Sequence, residues 1–203
     1  MTDSGTGSGI AVLVPVKAFE VAKRRLSAVL DDAARRELAR ELATTVVRAA
    51  GSLPVAVVCD DEAVASWAAT VHADVIWRPG LGLNGAVADG VRHLAARGVE
   101  RVIVAHADLP HARDLSWVAD FDGVTLVPDR RDDGTNVACI PTRSGFRFAY
   151  GPGSFRRHEA EAHRLGLPVR IERDPRLGWD VDVPADLEPP VWLAPTPQPG
   201  GGR

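Results

Sequence analysis

Apolar and polar positions alternate in blocks along this chain. Residues 10–16 (Ile-Ala-Val-Leu-Val-Pro-Val) make a continuous apolar run of strand length. Continuous rather than alternating hydrophobicity predicts a strand buried on both faces. Residues 31–50 then carry Ala34, Leu38, Leu42, Val46 and Val47 at the 3.6-residue period, which predicts a long amphipathic helix. Asp31 and Asp32 suit its N-terminus and Gly51 its stop. The rhythm repeats as strand 54–59, helix 62–70, strand 73–77, helix 84–97 and strand 101–106. Further strands are expected near 123–127, 136–140 and 168–172, with a helix over 154–165. This alternation predicts an α/β fold whose mostly parallel central sheet is covered by helices on both faces.

The ends break the rhythm. Residues 1–9 are rich in Gly, Ser and Thr, and 189–203 in Pro and Gly, so both are expected to be disordered around one domain at 10–188. The 203 residues suffice for one real core, and 45% apolar with 25% charged residues is the balance of a soluble globular protein. A formal net charge of -3 and the lack of a basic stripe argue against a nucleic-acid partner. No apolar run is long enough to span a bilayer, and the first residues lack the pattern of a signal peptide. No membrane partner is expected. Cys59 and Cys139 sit in apolar runs and read as buried, reduced thiols, so the expected location is cytoplasmic.

In parallel sheets ligands bind beyond the carboxyl ends of the strands. That rule gathers the 15–26 loop, the 59–62 turn, the 78–85 loop and the Asp108 turn along one edge. The first of these carries Lys17, Lys23, Arg24 and Arg25, enough positive charge for a triphosphate and a leaving pyrophosphate. It lacks the glycine pattern of a P-loop. Asp108, in His106-Ala107-Asp108-Leu109-Pro110, lies just past a strand, where a carboxylate suits Mg²⁺ or a turn cap. His106 is on the same side and reads more readily as a packed histidine. Asp180 and Asp182 share one face of an extended segment, where their repulsion calls for a cation or a proton; a divalent metal would relieve it, and a plain acidic turn is the other reading. Pro184 and Asp186 then look like a helix start. Gly80-Leu81-Gly82-Leu83-Asn84-Gly85 matches a dinucleotide fingerprint formally but follows the third strand, so it is discounted. In that loop Asn84 remains a candidate for a base or ribose contact. Gly151-Pro152-Gly153-Ser154 opens a helix beside Arg156 and Arg157 and could hold an anion, or be a surface turn and cap.

Taken in order, these segments resemble the guanylyltransferase family of coenzyme F-420 biosynthesis, which acts on 2-phospho-L-lactate or phosphoenolpyruvate. The resemblance spans about 12–187. It rests on Val14-Pro15-Val16-Lys17 with Lys23, Arg25 and Leu26; Gly82 to Val87; Ala107-Asp108-Leu109-Pro110; Gly134-Thr135-Asn136; and Asp180-Val181-Asp182-Val183-Pro184. It implies a three-layer, Rossmann-like nucleotidyltransferase fold of the nucleotide-diphospho-sugar transferase type. It implies that Lys17, Lys23 and Arg25 hold the GTP phosphates, with Asn84 and Gly85 near the nucleoside. Asp108, Asp180 and Asp182 would bind Mg²⁺, and Thr135, Gly151 and Ser154 would contact the acid. Lys17, Lys23 and Asp108 would then be the catalytic residues. His106 and Val183 depart from the family pattern, in which small residues and Thr are more usual.

The expected reaction is transfer of GMP from GTP to phosphoenolpyruvate with release of diphosphate. 2-phospho-L-lactate and 3-phosphoglycerate are the alternative acceptors, and a homodimer is compatible with the sequence. Two other readings remain open at this point. Asp180-Val181-Asp182 resembles the Asp-x-Asp of metal-dependent glycosyltransferases, and a non-catalytic nucleotide-binding protein would also keep a lysine loop.

Overall fold

The structure, a computed structural model, describes residues 9–188. The expectations for 1–8 and 189–203 lie outside the described residues. One seven-stranded sheet forms the centre, in the order β3-β2-β1-β4-β6-β5-β7. The elements run β1 (Ile10–Pro15), α1 (Asp32–Ala49), β2 (Val55–Cys59), α2 (Glu62–Thr70), β3 (Asp74–Trp77) and α3 (Gly82–Ala96). They continue with β4 (Arg101–Ala105), β5 (Val124–Pro128), β6 (Thr135–Pro141), α4 (Ser154–Arg164) and β7 (Val169–Ile171). Every strand is parallel to its neighbours except β6, which runs against both β4 and β5. The pattern of apolar runs therefore locates all seven strands to within a residue or two.

The continuous hydrophobicity of the strands is explained by burial on both faces. Val12, Val14, Val57 and Ile103 pack under α1, α2 and the 109–119 segment. Ala11, Leu13, Val58 and Val102 pack under α3 and α4 on the other side. Period-two alternation thus divides one apolar strand between two cores. Gly90 lets α3 lie close on β1, for a Cβ there would come within 2.9 Å of a Leu13 methyl.

The α1 stripe differs from the expected one by part of a turn. Ala34 is exposed and Leu38 only half-buried, whereas Ala39 and Ala43 are buried with Leu42, Val46 and Val47. The small alanines bring the helix close to the sheet, and Leu38 and Leu42 point instead at a second cluster with Leu26, Leu30 and Val181. Asp31 caps the helix by accepting the Ala34 N–H at 2.8 Å.

The chain leaves β1 toward β2 and leaves β4 toward the opposite edge of the sheet. Such a switch point opens a crevice beyond the carboxyl ends of the two strands. The reversed β6 brings its first residue, Thr135, to this same end, beside the end of β4. Among the described residues, no helix is long and apolar enough to cross a membrane.

Candidate active site

The crevice is a cleft of about 1160 Å³. Its walls include Lys17, Lys23, Arg25, Asp108, Asp180, Asp182, Thr135, Gly151 and Ser154. The structure thus brings together nine of the residues singled out from sequence.

The loop after β1 supplies the cations. It coils through two short 3₁₀ turns, Phe19–Val21 and Arg24–Leu26, with Lys23 between them. Lys23 adopts φ 54 and ψ 33, in the left-handed region that costs a side-chain-bearing residue about 1–2 kcal/mol. That conformation aims its ammonium inward. Lys23 Nζ donates to the Val181 carbonyl at 2.6 Å and to Asp108 Oδ2 at 2.9 Å, and lies 3.9 Å from Asp182 Oδ1. Leu26, buried against Leu42 and Val181, anchors the loop. Lys17 is exposed at the cleft, and Arg25 reaches Asp182 Oδ2 at 3.4 Å.

The carboxylates come from two places. Asp108 follows β4, and Asp180 and Asp182 lie on the extended segment after β7. Val181, between them, turns away into the leucine cluster, so the period-two prediction of a shared face is met. The segment is held by Asp186, in the 3₁₀ turn Pro184–Leu187. Its carboxylate accepts the Asp182 and Val183 N–H groups at 2.7 and 2.8 Å and pairs with Arg130. Arg130 stacks on Trp179 at 4.2 Å and donates to the Asp180 carbonyl at 3.1 Å. Burial alone would raise the Asp186 carboxyl, but the two N–H donors and Arg130 outweigh it and hold it low.

Burial likewise pushes Asp108 upward, and the charge of Lys23, the neighbouring His106 and the Lys23 hydrogen bond together more than reverse this. Asp180 goes the other way. Burial, then the charges of Asp108 and Asp182, push its carboxyl up to about 6. Asp108 Oδ1 and Asp180 Oδ1 are buried without a hydrogen-bond partner. Among the described residues no three acidic, His or Cys side chains are drawn together into a ligand set, and Lys23 lies among the carboxylates instead. Asp180 Oδ1 still lies 3.6 Å from an Arg130 guanidinium nitrogen. Two buried carboxylate oxygens without a hydrogen bond, one on an acid pushed up by its neighbours, are the groups here whose chemistry would suit a hard divalent cation.

The opposite wall carries Thr135 and Ser154, each 2% exposed. Thr135 N–H donates to Ser154 Oγ at 3.1 Å. Gly153, at φ 72, makes the left-handed step that starts α4. The backbone N–H groups of this loop, however, are not all free for an anion. Asp133 takes two, Gly153 N–H through Oδ1 and Phe155 N–H through its carbonyl, each at 3.0 Å. Arg157 is also committed, donating to the carbonyls of Ala149, Gly151 and Pro152. It braces the loop. The hydroxyls of Thr135 and Ser154 face the cleft, together with Asp129, Arg131 and Asp133 of the neighbouring turn.

Asn84 and Gly85 do not line the cleft. They border a separate cavity of about 460 Å³ beneath α3. The Asn84 amide is spent on Tyr150, accepting its N–H at 2.6 Å and donating to its carbonyl at 3.3 Å. Gly82, Leu83 and Ala86 are the residues of this stretch at the cleft. His106 packs on the Tyr150 ring at 4.8 Å. Burial lowers its pKa against the pull of Asp108, and its Nε2 has no partner. Cys59 and Cys139 are buried free thiols, as expected.

Sequence reasoning missed Arg130, Asp129 and His158. Asp129 gathers the N–H groups of Arg131, Asp133 and Gly134 into a tight turn at the cleft rim. Asp132-Asp133-Gly134 carries a turn signal in its sequence, but nothing local points to Asp129 as the capping partner. Arg130 and His158 left no local signal.

A cleft at the switch point of a Rossmann-like sheet, with clustered cations facing acidic residues, defines the nucleotidyltransferase class. A solved nucleotidyl transferase from Methanothermobacter thermautotroptrophicus shares the fold with TM-score 0.62 at 14% identity, over 88% of this chain and 94% of that one. The sequence is 36% identical to a phosphoenolpyruvate guanylyltransferase of Sphaerobacter thermophilus, covering 87% of this chain and 89% of the relative. It is 34% identical to the enzyme of the same name from Rubrobacter xylanophilus, covering 88% and 91%. Residues 10–190 match the family described as guanylyl transferase CofC like, and the chain belongs to that family. It is a guanylyltransferase.

Proposed function

We propose that this enzyme transfers GMP from GTP to phosphoenolpyruvate, releasing diphosphate, as a step of coenzyme F-420 biosynthesis. The supporting observation is the arrangement of one cleft. Lys17, Lys23 and Arg25 face the carboxylates Asp108, Asp180 and Asp182, and the hydroxyls of Thr135 and Ser154 stand on the far wall. The acceptor is read from the relatives' names.

In this reading the cationic loop neutralises the triphosphate. Thr135 and Ser154 bind the acid and orient its phosphate. A phosphate oxygen of the acid forms the new bond to the α-phosphorus of GTP. The bond from that phosphorus to the bridging oxygen breaks, and its electrons leave with pyrophosphate. A phosphate monoester is already anionic near neutral pH, so no strong general base is required. Positioning and charge neutralisation carry the rate. Mg²⁺, held by Asp108, Asp180 and Asp182, would supply Lewis-acid stabilisation of the charge that builds on the phosphates. Lys23, which holds Asp108 and the Val181 carbonyl, would share those carboxylates with a bound cation and would be close enough to turn its ammonium to the phosphates. The reaction is set in the cytoplasm, in keeping with two unpaired cysteines.

The test is GTP and Mg²⁺ with phosphoenolpyruvate, 2-phospho-L-lactate and 3-phosphoglycerate in parallel, reading pyrophosphate release and product mass. Phosphoenolpyruvate should give the highest kcat/KM. Asp108→Ala should abolish release while circular dichroism stays unchanged. Full activity in that variant would refute the metal-site assignment, and preference for another acid would refute the acceptor.

A further inference from the structure

The far wall of the cleft rests on a buried histidine that nothing above uses. His158, in α4, is fully buried. Both ring nitrogens are engaged. Nε2 lies 2.9 Å from the backbone nitrogen of Ala149, and Nδ1 lies 3.0 Å from Thr135 Oγ1.

A backbone N–H only donates, so Nε2 must be the acceptor of the Ala149 bond. A neutral imidazole with its lone pair on Nε2 carries its proton on Nδ1. Nδ1–H therefore donates to Thr135 Oγ1, which spends a lone pair of the hydroxyl on this bond. The Thr135 hydroxyl hydrogen is turned away from the ring. Ser154 is in a similar condition, since its Oγ already accepts the Thr135 N–H. Both residues line the cleft. Two adjacent hydroxyls thus each have one acceptor position filled from behind and a hydrogen free to turn to the front. That polarity suits an acceptor oxygen, most strongly an anionic one, and is of no use to a cation.

We infer that His158 is a positioning residue that sets the polarity of the Thr135 hydroxyl, making it a hydrogen-bond donor to an anionic oxygen of the acid substrate. This rests on the reading that the acid binds at Thr135 and Ser154. His158 touches no substrate. It acts through Thr135, and its fixed tautomer is the device.

Two substitutions separate the halves of the ring. Asn at 158 places an amide nitrogen near the position of Nδ1 and keeps the donor to Thr135. Gln places its amide near Nε2, keeps the Ala149 contact and leaves Thr135 without a donor. His158→Gln should raise KM for the acid about tenfold, the scale of one oriented hydrogen bond to a charged group, with KM for GTP unchanged. His158→Asn should stay close to the wild type. Thr135→Val should raise the acid KM at least as much as His158→Gln.

Nitrogen NMR of the unmodified protein gives a second reading that does not depend on a variant folding. It should show the His158 proton on Nδ1 at neutral pH. A proton on Nε2 overturns the inference. So does an unchanged acid KM in His158→Gln when Thr135→Val raises it, and that pattern leaves the acid site standing. If Thr135→Val itself binds the acid normally, the acid-site reading falls and takes the inference with it.

Discussion

Replacing Asp186 with Asn removes one charge and almost no volume, at a point where the acidic segment of the cleft is tied down. Oδ2 accepts the N–H groups of Asp182 and Val183 at 2.7 and 2.8 Å, while Oδ1 pairs with Arg130 and lies 3.8 Å from Arg131. An Asn oxygen can keep the two backbone donors. Its NH₂ must then face the Arg130 guanidinium, donor against donor. The Asp186 side chain is 1% exposed and Arg130 25%, so the pair lies between a surface pair and a buried one. Breaking it should cost roughly 2–3 kcal/mol. For a chain of this size that lowers Tm by roughly 5–10 °C. Differential scanning calorimetry at neutral pH reads it directly. The pH dependence supplies a sign check. The Asp186 carboxyl is held low in the fold, so its contribution is present above the ordinary carboxylate range and is lost as pH falls through the folded value. Wild type and variant should therefore converge in acid. Turnover should also fall by about tenfold or more, because Asp180 and Asp182 lose their anchor. A variant that melts with the wild type at neutral pH, with no gap that closes in acid, would show that Arg130 and the 3₁₀ turn hold the segment without this charge.

Two further outcomes follow from the same geometry. Burial, with help from nearby positive charge, holds His158 down at about 4, below its ordinary 6.5. The unfolded chain takes up the proton first, so stability is full above about 6.5 and declines by roughly 3 kcal/mol as pH falls toward 4. Urea midpoints across that range should show the slope, and His158→Asn should flatten it. Lys23→Met keeps the aliphatic stem but removes the ammonium from Asp108 and the Val181 carbonyl. Pyrophosphate release should drop about 100-fold or more, while the thermal shift produced by Mg²⁺ should be at least as large as in the wild type. A smaller shift would mean that Lys23 helps to hold the cation rather than competing with it.

Much of this was legible in the sequence because it is written in local periodicity. Strands buried on both faces need continuous apolar runs, so β1, β2 and β4 announce themselves and carry Lys17, Cys59 and Asp108 to one edge with them. The Asp180–Asp182 face follows from the pleat alone. What stayed hidden depends on pairings between distant segments. Asn84 looks like a ligand contact until the Tyr150 backbone claims both ends of its amide. The glycine loop before α4 looks like an anion cradle until Asp133 takes two of its N–H groups. No window of sequence shows that Lys23 is left-handed, that Arg130 lies on Trp179, or that His158 backs Thr135. In each case the signal is a single polar residue whose partner is fixed only once the sheet has assembled.

The reversed strand β6 has a consequence for how such an enzyme can diversify. Because β6 runs backwards, its first residue and the turn before it reach the cleft from the side opposite to β1. The wall proposed to meet the acid is therefore built from a hairpin and a helix start, Asp129 to Thr135 and Gly151 to Ser154, while the cationic loop follows the first strand. The two halves are joined through the sheet but share little chain. Changes of length or residue type in the hairpin can reshape one pocket and leave the register of β1 against β4 untouched. In the proposed reading, the fold thus separates the part that meets the nucleotide from the part that meets the acceptor.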